Sequence, residues 1–175
     1  MIIRQFTIAD LDSLQIILSD EAVVKYIPED TMTIGEVKDI LTWLIGCYGK
    51  NTPQRIIKFT VAIELKDKGK LIGWCGLGPL EIAPDEIELY YGLAQDQWDK
   101  GFATEAGKAI LGYGFSEFNL EKIVAVVNPT NLGSVKVLEK LGMIFIGEVK
   151  GLEPKFKFYE GDRYYRLQKD DYHKI

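Results

Sequence analysis

The period of the apolar positions changes along this chain, and the changes divide it into elements. Ile2 to Phe6 alternates as a short strand. From Ile8 to Leu18 the apolar residues Leu11, Leu14, Ile17 and Leu18 share one helical face, with Thr7 and Asp10 as helix-start residues. Glu21–Ile27 reads as a second short helix stopped by Pro28. Thr33 to Tyr48 reads as a longer one, striped by Ile40, Leu41, Leu44, Ile45 and Tyr48. The period then falls to two. Phe59, Val61, Ile63 and Leu65 alternate with Thr60, Ala62 and Glu64, and after the charged turn Lys66–Lys70 the segment Leu71–Leu80 returns as a strand. Its glycines, Gly73, Gly76 and Gly78, do not make a dinucleotide fingerprint, and they predict a bulged or closely packed strand. Pro84-Asp85 leads into Glu86–Leu93, where Ile87, Leu89, Tyr91 and Leu93 face one way and Glu86, Glu88, Tyr90 and Gly92 the other. Residues 58–93 therefore predict a three-stranded antiparallel meander.

A polar loop, Ala94–Gly101, separates the third strand from a helix over Phe102–Phe118 with Phe102, Ala106, Ala109, Ile110 and Tyr113 on one face. Gly107, Gly112 and Gly114 each weaken that helix by ~1 kcal/mol against Ala, a cost that close packing on a sheet would justify. Lys122–Val127 is nearly all apolar, as in a strand covered on both faces, so 86–127 predicts a right-handed βαβ unit with a parallel pair. After Asn128-Pro129-Thr130, Asn131 caps a helix over Leu132–Leu141 that Gly142 stops, with Leu132, Val135, Leu138 and Leu141 along its buried edge. Met143–Glu148 is a further strand, and Asp162–Asp171 contains the last, anchored by Tyr164, Leu167 and Tyr172. The whole, 1–175, is expected to be a single α/β (α+β) domain with a mixed, twisted central sheet of about six to seven strands and helices on both faces.

Composition narrows the chemistry. With 21 basic and 26 acidic residues the net charge is −5, which argues against a nucleic-acid partner and leaves cationic substrates open. Cys47 and Cys75 are isolated, so no zinc knuckle or redox pair is expected. The single histidine, His173, stands at the C-terminal end, which removes His-based triads and His-ligated metal sites from consideration. Arg4 and Asp10 interrupt the N-terminus, and no apolar run approaches the ~20 residues of a membrane span, so no membrane partner and a cytoplasmic location are expected.

The strand–loop–helix passage at Glu86–Phe118 carries the candidate chemistry. Lys100, Gly101, Phe102, Ala103 and Thr104 lie where a glycine turn meets a helix start, and the unpaired first-turn amides and helix dipole there suit a phosphate. The segment WDKGFATEA at 98–106, followed by NPTNLGSVKVLEKLGM at 128–143, resembles the GNAT superfamily of acetyl-CoA-dependent N-acetyltransferases. Within it the chain most resembles the ribosomal-protein N-terminal acetyltransferase-like subfamily, to which the opening IIRQFTIADLDSL and the closing EGDRYYRLQKDDY also conform. The superfamily phosphate loop, Q/R-x-x-G-x-G/A, falls on Trp98, Asp99, Lys100, Gly101, Phe102 and Ala103. Trp98 replaces the usual Gln or Arg, as in the subfamily, so backbone amides must do most of the binding, with Lys100 offering a charge near the pyrophosphate.

The resemblance implies further roles. Two parallel strands splay apart, the pantetheine arm lies between them, and its backbone partners fall near Leu93 to Gln95. Asn131 contacts the arm and Ser134, in the N-x-x-S pattern, sits near the sulfur as the candidate acid. Glu88, in the subfamily's E-I-G-Y-like position, is the candidate general base, with Glu86, two residues earlier on the same side, as its competitor. The implied reaction is transfer of acetyl from acetyl-CoA, without a metal, to a primary amine by direct attack in a ternary complex. The acceptor is a small-molecule amine or a protein N-terminus. A non-catalytic acyl-CoA-binding or sensing module on the same fold is the alternative. An α-amine (pKa ~7.7–8.0) costs about 1–1.4 kcal/mol to deprotonate at pH 7, against about 4.6 for a Lys amine (~10.4), which favours the former for a site without histidine. The segments 20–50 and 149–161 are expected to shape the acceptor site. The aromatic-rich end, Phe156 to Tyr172, suits either core or a homodimer surface.

Overall fold

A computed structural model describes residues 1–28 and 30–172; His173 lies outside the described residues. The chain forms β1 (Ile2–Gln5), a 3-10 turn at Ile8–Asp10, α1 (Leu11–Leu18), α2 (Glu21–Val24) and α3 (Ile34–Cys47). The strands β2 (Phe59–Leu65), β3 (Lys70–Leu80) and β4 (Ala83–Leu93) follow, then α4 (Phe102–Ser116), β5 (Lys122–Val127) and α5 (Leu132–Lys140). The strands β6 (Ile144–Glu148) and β7 (Arg163–Gln168) and the short α6 (Lys169–Tyr172) complete it.

The seven strands make one sheet in the order β1-β2-β3-β4-β5-β7-β6. Every neighbouring pair is antiparallel except β4 and β5, which are parallel and register at a single position, Glu88 with Val124. The expected α/β (α+β) architecture with splayed parallel strands is thus present.

Strand alternation sorts the core into two layers. Val61 and Ile63 pack with Ala106, Ile110, Leu111, Phe115 and Ile123 beneath α4 and α5. Ala62, between them, packs with Leu14, Ile17, Val37 and Leu41 beneath α1 and α3. Helices therefore cover both faces.

Some packing differs from the periodicity. In α4 the buried face is Ala106, Gly107, Ile110, Leu111, Gly114 and Phe115, whereas Ala109 is exposed and Tyr113 stacks at the edge on Phe59 at 4.8 Å. Close approach rotates the helix: a Cβ on Gly107 would stand 2.7 Å from Leu141, and one on Gly114 2.8 Å from Leu77. Leu132 is exposed instead of lining the core edge of α5. The aromatic-rich end divides between fates, since Tyr165 is core, Tyr172 packs on Phe115 at 5.0 Å, and Phe158 is exposed.

The N-terminal corner is tied by charge. The Arg4 guanidinium donates to both Asp10 oxygens, at 2.8 and 2.7 Å, and to Glu64 Oε2 at 2.7 Å, joining β1 to the start of α1 and to β2. Asp10 is buried and also accepts from Thr7 N at 2.8 Å. These hydrogen bonds hold its carboxyl below the usual range although burial opposes them. Arg4→Met should lower unfolding free energy by about 2 kcal/mol at pH 7, because it leaves a buried carboxylate without its main partner. Asp10 with a depressed folded pKa stabilises above its ordinary pKa and loses that contribution as pH falls through the folded value, so the difference between wild type and variant should shrink in acid. Urea midpoints measured between pH 7 and pH 3 check both statements.

Candidate active site

Where β4 and β5 lose their pairing, a cleft of about 590 Å³ opens. Its walls are Glu88 to Leu93 of β4, Ala125 to Val127 of β5, the first residues of α4, and Asn131, Gly133 and Ser134 at the start of α5. Tyr26, Ile27 and Pro28 close it from one side and Phe158, Tyr159 and Asp162 from another. No residue of α3 lines it, so the expected roof over 20–50 contracts to residues 23–28 among the described residues.

The loop into α4 has an unusual backbone. Asp99 (φ 59°) and Gly101 (φ 84°) are both left-handed, and they flank Lys100. Successive residues of this kind turn their amides to one side. Gly101 is the N-cap of α4 and supplies no side chain to satisfy the first-turn amides, while Gly101, Phe102, Ala103 and Thr104 line the cleft. The residues that carry the first-turn N–H groups thus line the cavity, with nothing from their own cap to neutralise those groups.

The other predicted cofactor residues fall into two groups. Trp98 and Asp99 line the cleft, as does buried Leu93. The Trp98 indole donates to Leu93 O at 2.8 Å. Ala94 N donates to Ile72 O, and the carbonyls of Ala94 and Gln95 accept from Gln97 N and Trp98 N. The backbone of 93–95, expected to be freed for a ligand, is thus largely engaged within the protein, leaving the second lone pair of the Leu93 carbonyl on that strand end. Lys100 is not brought to the cleft; its ammonium turns back to Asp96 O at 2.6 Å and Gln97 Oε1 at 3.4 Å.

Across the cavity, Asn131 Oδ1 caps α5 by accepting from Ser134 N at 3.1 Å. Its amide nitrogen stays available at the cleft wall, so capping and ligand contact are compatible. Tyr91, which the strand pattern marks only as inward-facing, donates from its hydroxyl to Ser134 O at 3.3 Å and fixes the first turn of α5 against β4.

The carboxylates separate clearly. Glu86 is taken by the Lys122 ammonium at 2.6 Å and by the Tyr164 hydroxyl at 3.4 Å, and it does not line the cleft. Glu88 does, and its Oε1 accepts from Val126 N at 3.3 Å. Burial pushes its carboxyl up to about 7, with Glu81 and Asp162 adding to the rise and Lys58 and the Val126 amide opposing it. Asp162, absent from the sequence-derived set, is buried in the same wall and pushed up to about 6 by burial, against a hydrogen-bonding approach from Asn128. In the sequence it stood at the start of the last strand segment, inside the closing stretch that conforms to the subfamily, with no role attached. Cys47 and Cys75 are both buried, and burial pushes the Cys75 thiol up to about 12.

Residues 1–144 match the acetyltransferase (GNAT) domain family. Among curated proteins, the uncharacterized N-acetyltransferase YnaD of Bacillus subtilis is 31% identical over 172 residues, covering 98% of this chain and 95% of its own. Among solved structures, a GNAT-family acetyltransferase from Bacillus anthracis aligns with a TM-score of 0.80 at 27% identity, over 96% of this chain and 94% of that one. Spermidine N-acetyltransferase from Vibrio cholerae, solved with CoA and spermine, aligns with a TM-score of 0.76 at 20% identity, over 98% and 97% of the two chains, which is a likeness of fold.

Two stability measurements test this geometry. A Cβ on Gly101 meets nothing within 4 Å, so Gly101→Ala should cost about 1 kcal/mol through backbone strain alone, whereas Asp99→Gly should cost nothing or stabilise. Equal effects in thermal unfolding would contradict the left-handed assignments. A carboxyl whose folded pKa is raised binds more protons folded than unfolded, so Glu88 should erode stability as pH rises from its ordinary value of 4.5 through about 7. Glu88→Gln should therefore be more stable than wild type at pH 8, by on the order of 1–3 kcal/mol, and nearly equal to it at pH 4.

Proposed function

The chain belongs to the acetyltransferase (GNAT) domain family, an acetyl-CoA-dependent acyltransferase family, and we propose that it acetylates a primary amine by direct attack of the bound acceptor in a ternary complex. The observation that carries this reading is that one cleft joins the uncapped start of α4 to Glu88.

Acetyl-CoA, when bound, supplies a thioester whose acetyl carbon is already activated for attack. The amides of Gly101, Phe102, Ala103 and Thr104 would hold its pyrophosphate, in a cradle that offers N–H donors and a dipole without a cation. Trp98 and Asp99 flank that cradle, and Leu93 and Asn131 stand at the two walls where the cofactor arm would run. The fit is one of donors to an acceptor-rich ligand.

Glu88 is the proposed base. A carboxyl near 7 is half-ionised at neutral pH and is a far better proton acceptor than an ordinary glutamate. It lies about one unit below an α-amine and more than three below a Lys amine, which supports a small-molecule amine or a protein N-terminus of α-amine character as acceptor. Ser134, at the opposite wall, is the proposed donor of a proton to the leaving sulfur. Neither cysteine is placed as a nucleophile, since both are buried and the Cys75 thiol is held protonated. That supports transfer without a covalent enzyme intermediate.

Release of CoA thiol from acetyl-CoA should appear with at least one member of a panel spanning α-amines, diamines and amino sugars. No release with any of them would sink the reading. Glu88→Gln should lower kcat/KM about 100-fold at pH 7 and abolish the rise in rate centred near pH 7, with acetyl-CoA binding retained. A variant that keeps the wild-type pH–rate profile would remove Glu88 from the proton transfer.

A further inference from the structure

Asp162 falls in the closing stretch that conforms to the subfamily, but the resemblance gives it no role. It precedes β7, and its backbone is clamped, with N donating to Tyr159 O at 3.1 Å and O accepting from Val149 N at 2.8 Å. Its side chain is 4% exposed and Oδ1 has no hydrogen-bond partner, the one such buried atom among the described residues. Asn128 approaches the carboxylate while its own Oδ1 accepts from Thr130 N and Thr130 Oγ1 at 3.0 and 2.7 Å. No basic side chain is among the groups acting on Asp162; the Lys58 ammonium lies over the Tyr90 ring at 3.9 Å. A buried, fixed and half-satisfied carboxylate is costly for a fold to keep unless something binds it.

It opens into the same cleft as Glu88. We propose that Asp162 and Glu88 together form the seat for the acceptor's amino group, which enters as a primary alkylammonium and is held through Asp162 Oδ1. This deepens the acetyl-transfer reading and rests on it for the identity of the reacting group. An ammonium carries three N–H donors, enough for both carboxylates. One proton passes to Glu88, and the neutral nitrogen, still donating to Asp162, forms the N–C bond to the acetyl carbon. The C–S bond breaks with its electron pair on sulfur, which takes a proton from solvent through the Ser134 hydroxyl, and Glu88 then gives its proton to solvent. The nitrogen's second proton leaves to solvent. The product amide is uncharged, so the carboxylate pair that binds the ammonium has little hold on the product. Neutral arylamines, lacking the charge, are expected to be poor acceptors.

The test uses the full chain loaded with CoA, with alaninamide and n-butylammonium as probes and n-butanol as the neutral control. Amide NMR should show saturable shifts at Glu88 and Asp162 with both ammonium probes and none with the alcohol. Asp162→Asn should weaken ammonium binding roughly 10- to 100-fold and raise the amine KM to match, with kcat changed less than about threefold and acetyl-CoA affinity unchanged. Asp162→Ser is the second variant, and thermal unfolding confirms that each is folded. The proposal is overturned if the wild type binds neither ammonium, if butanol shifts the same residues, or if the variants bind as wild type does. Ammonium binding that depends on Asp162 in a protein that releases no CoA would leave the seat standing and remove the catalytic reading instead.

Discussion

The site depends on a pairing that stops. The parallel strands β4 and β5 register only at Glu88 and Val124, and beyond that point their edges diverge. Main-chain groups released inside a sheet must find partners. Here Val126 N takes the Glu88 carboxylate, and the Leu93 carbonyl takes the Trp98 indole. The cavity, the placement of Glu88 against its wall and the entry of the loop into α4 all follow from that divergence. The rest of the fold holds it open. Gly107 and Gly114 let α4 settle close to Leu141 and Leu77, and this sets where its uncapped end points.

Much of this could be read in the residues. The period-two run from Phe59 to Leu93, the apolar Lys122–Val127 and the helix faces fix strands and crossover to within a few residues. Gly101 was legible as the glycine of a turn into a helix start and as the central glycine of the phosphate-loop pattern, and its left-handed backbone accounts for the glycine. The candidate base was legible only to the level of two alternatives, since Glu86 and Glu88 share a strand face. Lys122, 36 residues away from Glu86, separates them, and no local pattern encodes that pairing. Asp162 was invisible for the same reason: its meaning comes from burial and from an unfilled oxygen, which exist only after β7 joins the sheet. Lys100 misled in the opposite direction, because charge near a phosphate loop attracts attention while its actual partner is a carbonyl four residues back.

Stability and chemistry are opposed at this cleft. Glu88 and Asp162 are carboxyls that burial disfavours in their charged form; Glu88 accepts from the Val126 amide and feels Lys58, and Asp162 Oδ1 has no hydrogen-bond partner among the described residues. Such groups are normally removed or paired in a core. The N-terminal corner shows the ordinary solution, where buried Asp10 meets Arg4 through two hydrogen bonds. The contrast between a carboxylate paired with Arg4 at the periphery and these two in the cavity, one with an unpartnered oxygen, supports the cavity as the proposed site independently of any family likeness.

The loop into α4 brings no cation of its own to the proposed anion cradle. The wider superfamily pattern places Gln or Arg where this chain has Trp98, and Lys100 is turned away onto Asp96 O. Lys136 and Lys140 do line the same cleft from the side of α5. A cation close to Glu88 favours its ionised form, as Lys58 does in part, yet burial outweighs it and keeps the carboxyl raised to about 7. Backbone amides and a helix dipole attract a phosphate with partial charges that fade within about one turn. Trp98 contributes through its indole, which pins the Leu93 carbonyl and orients the loop without adding charge. In the proposed reaction the loop into α4 would therefore hold an anion mainly through dipoles, while the proposed base stands elsewhere on the wall of the same cleft.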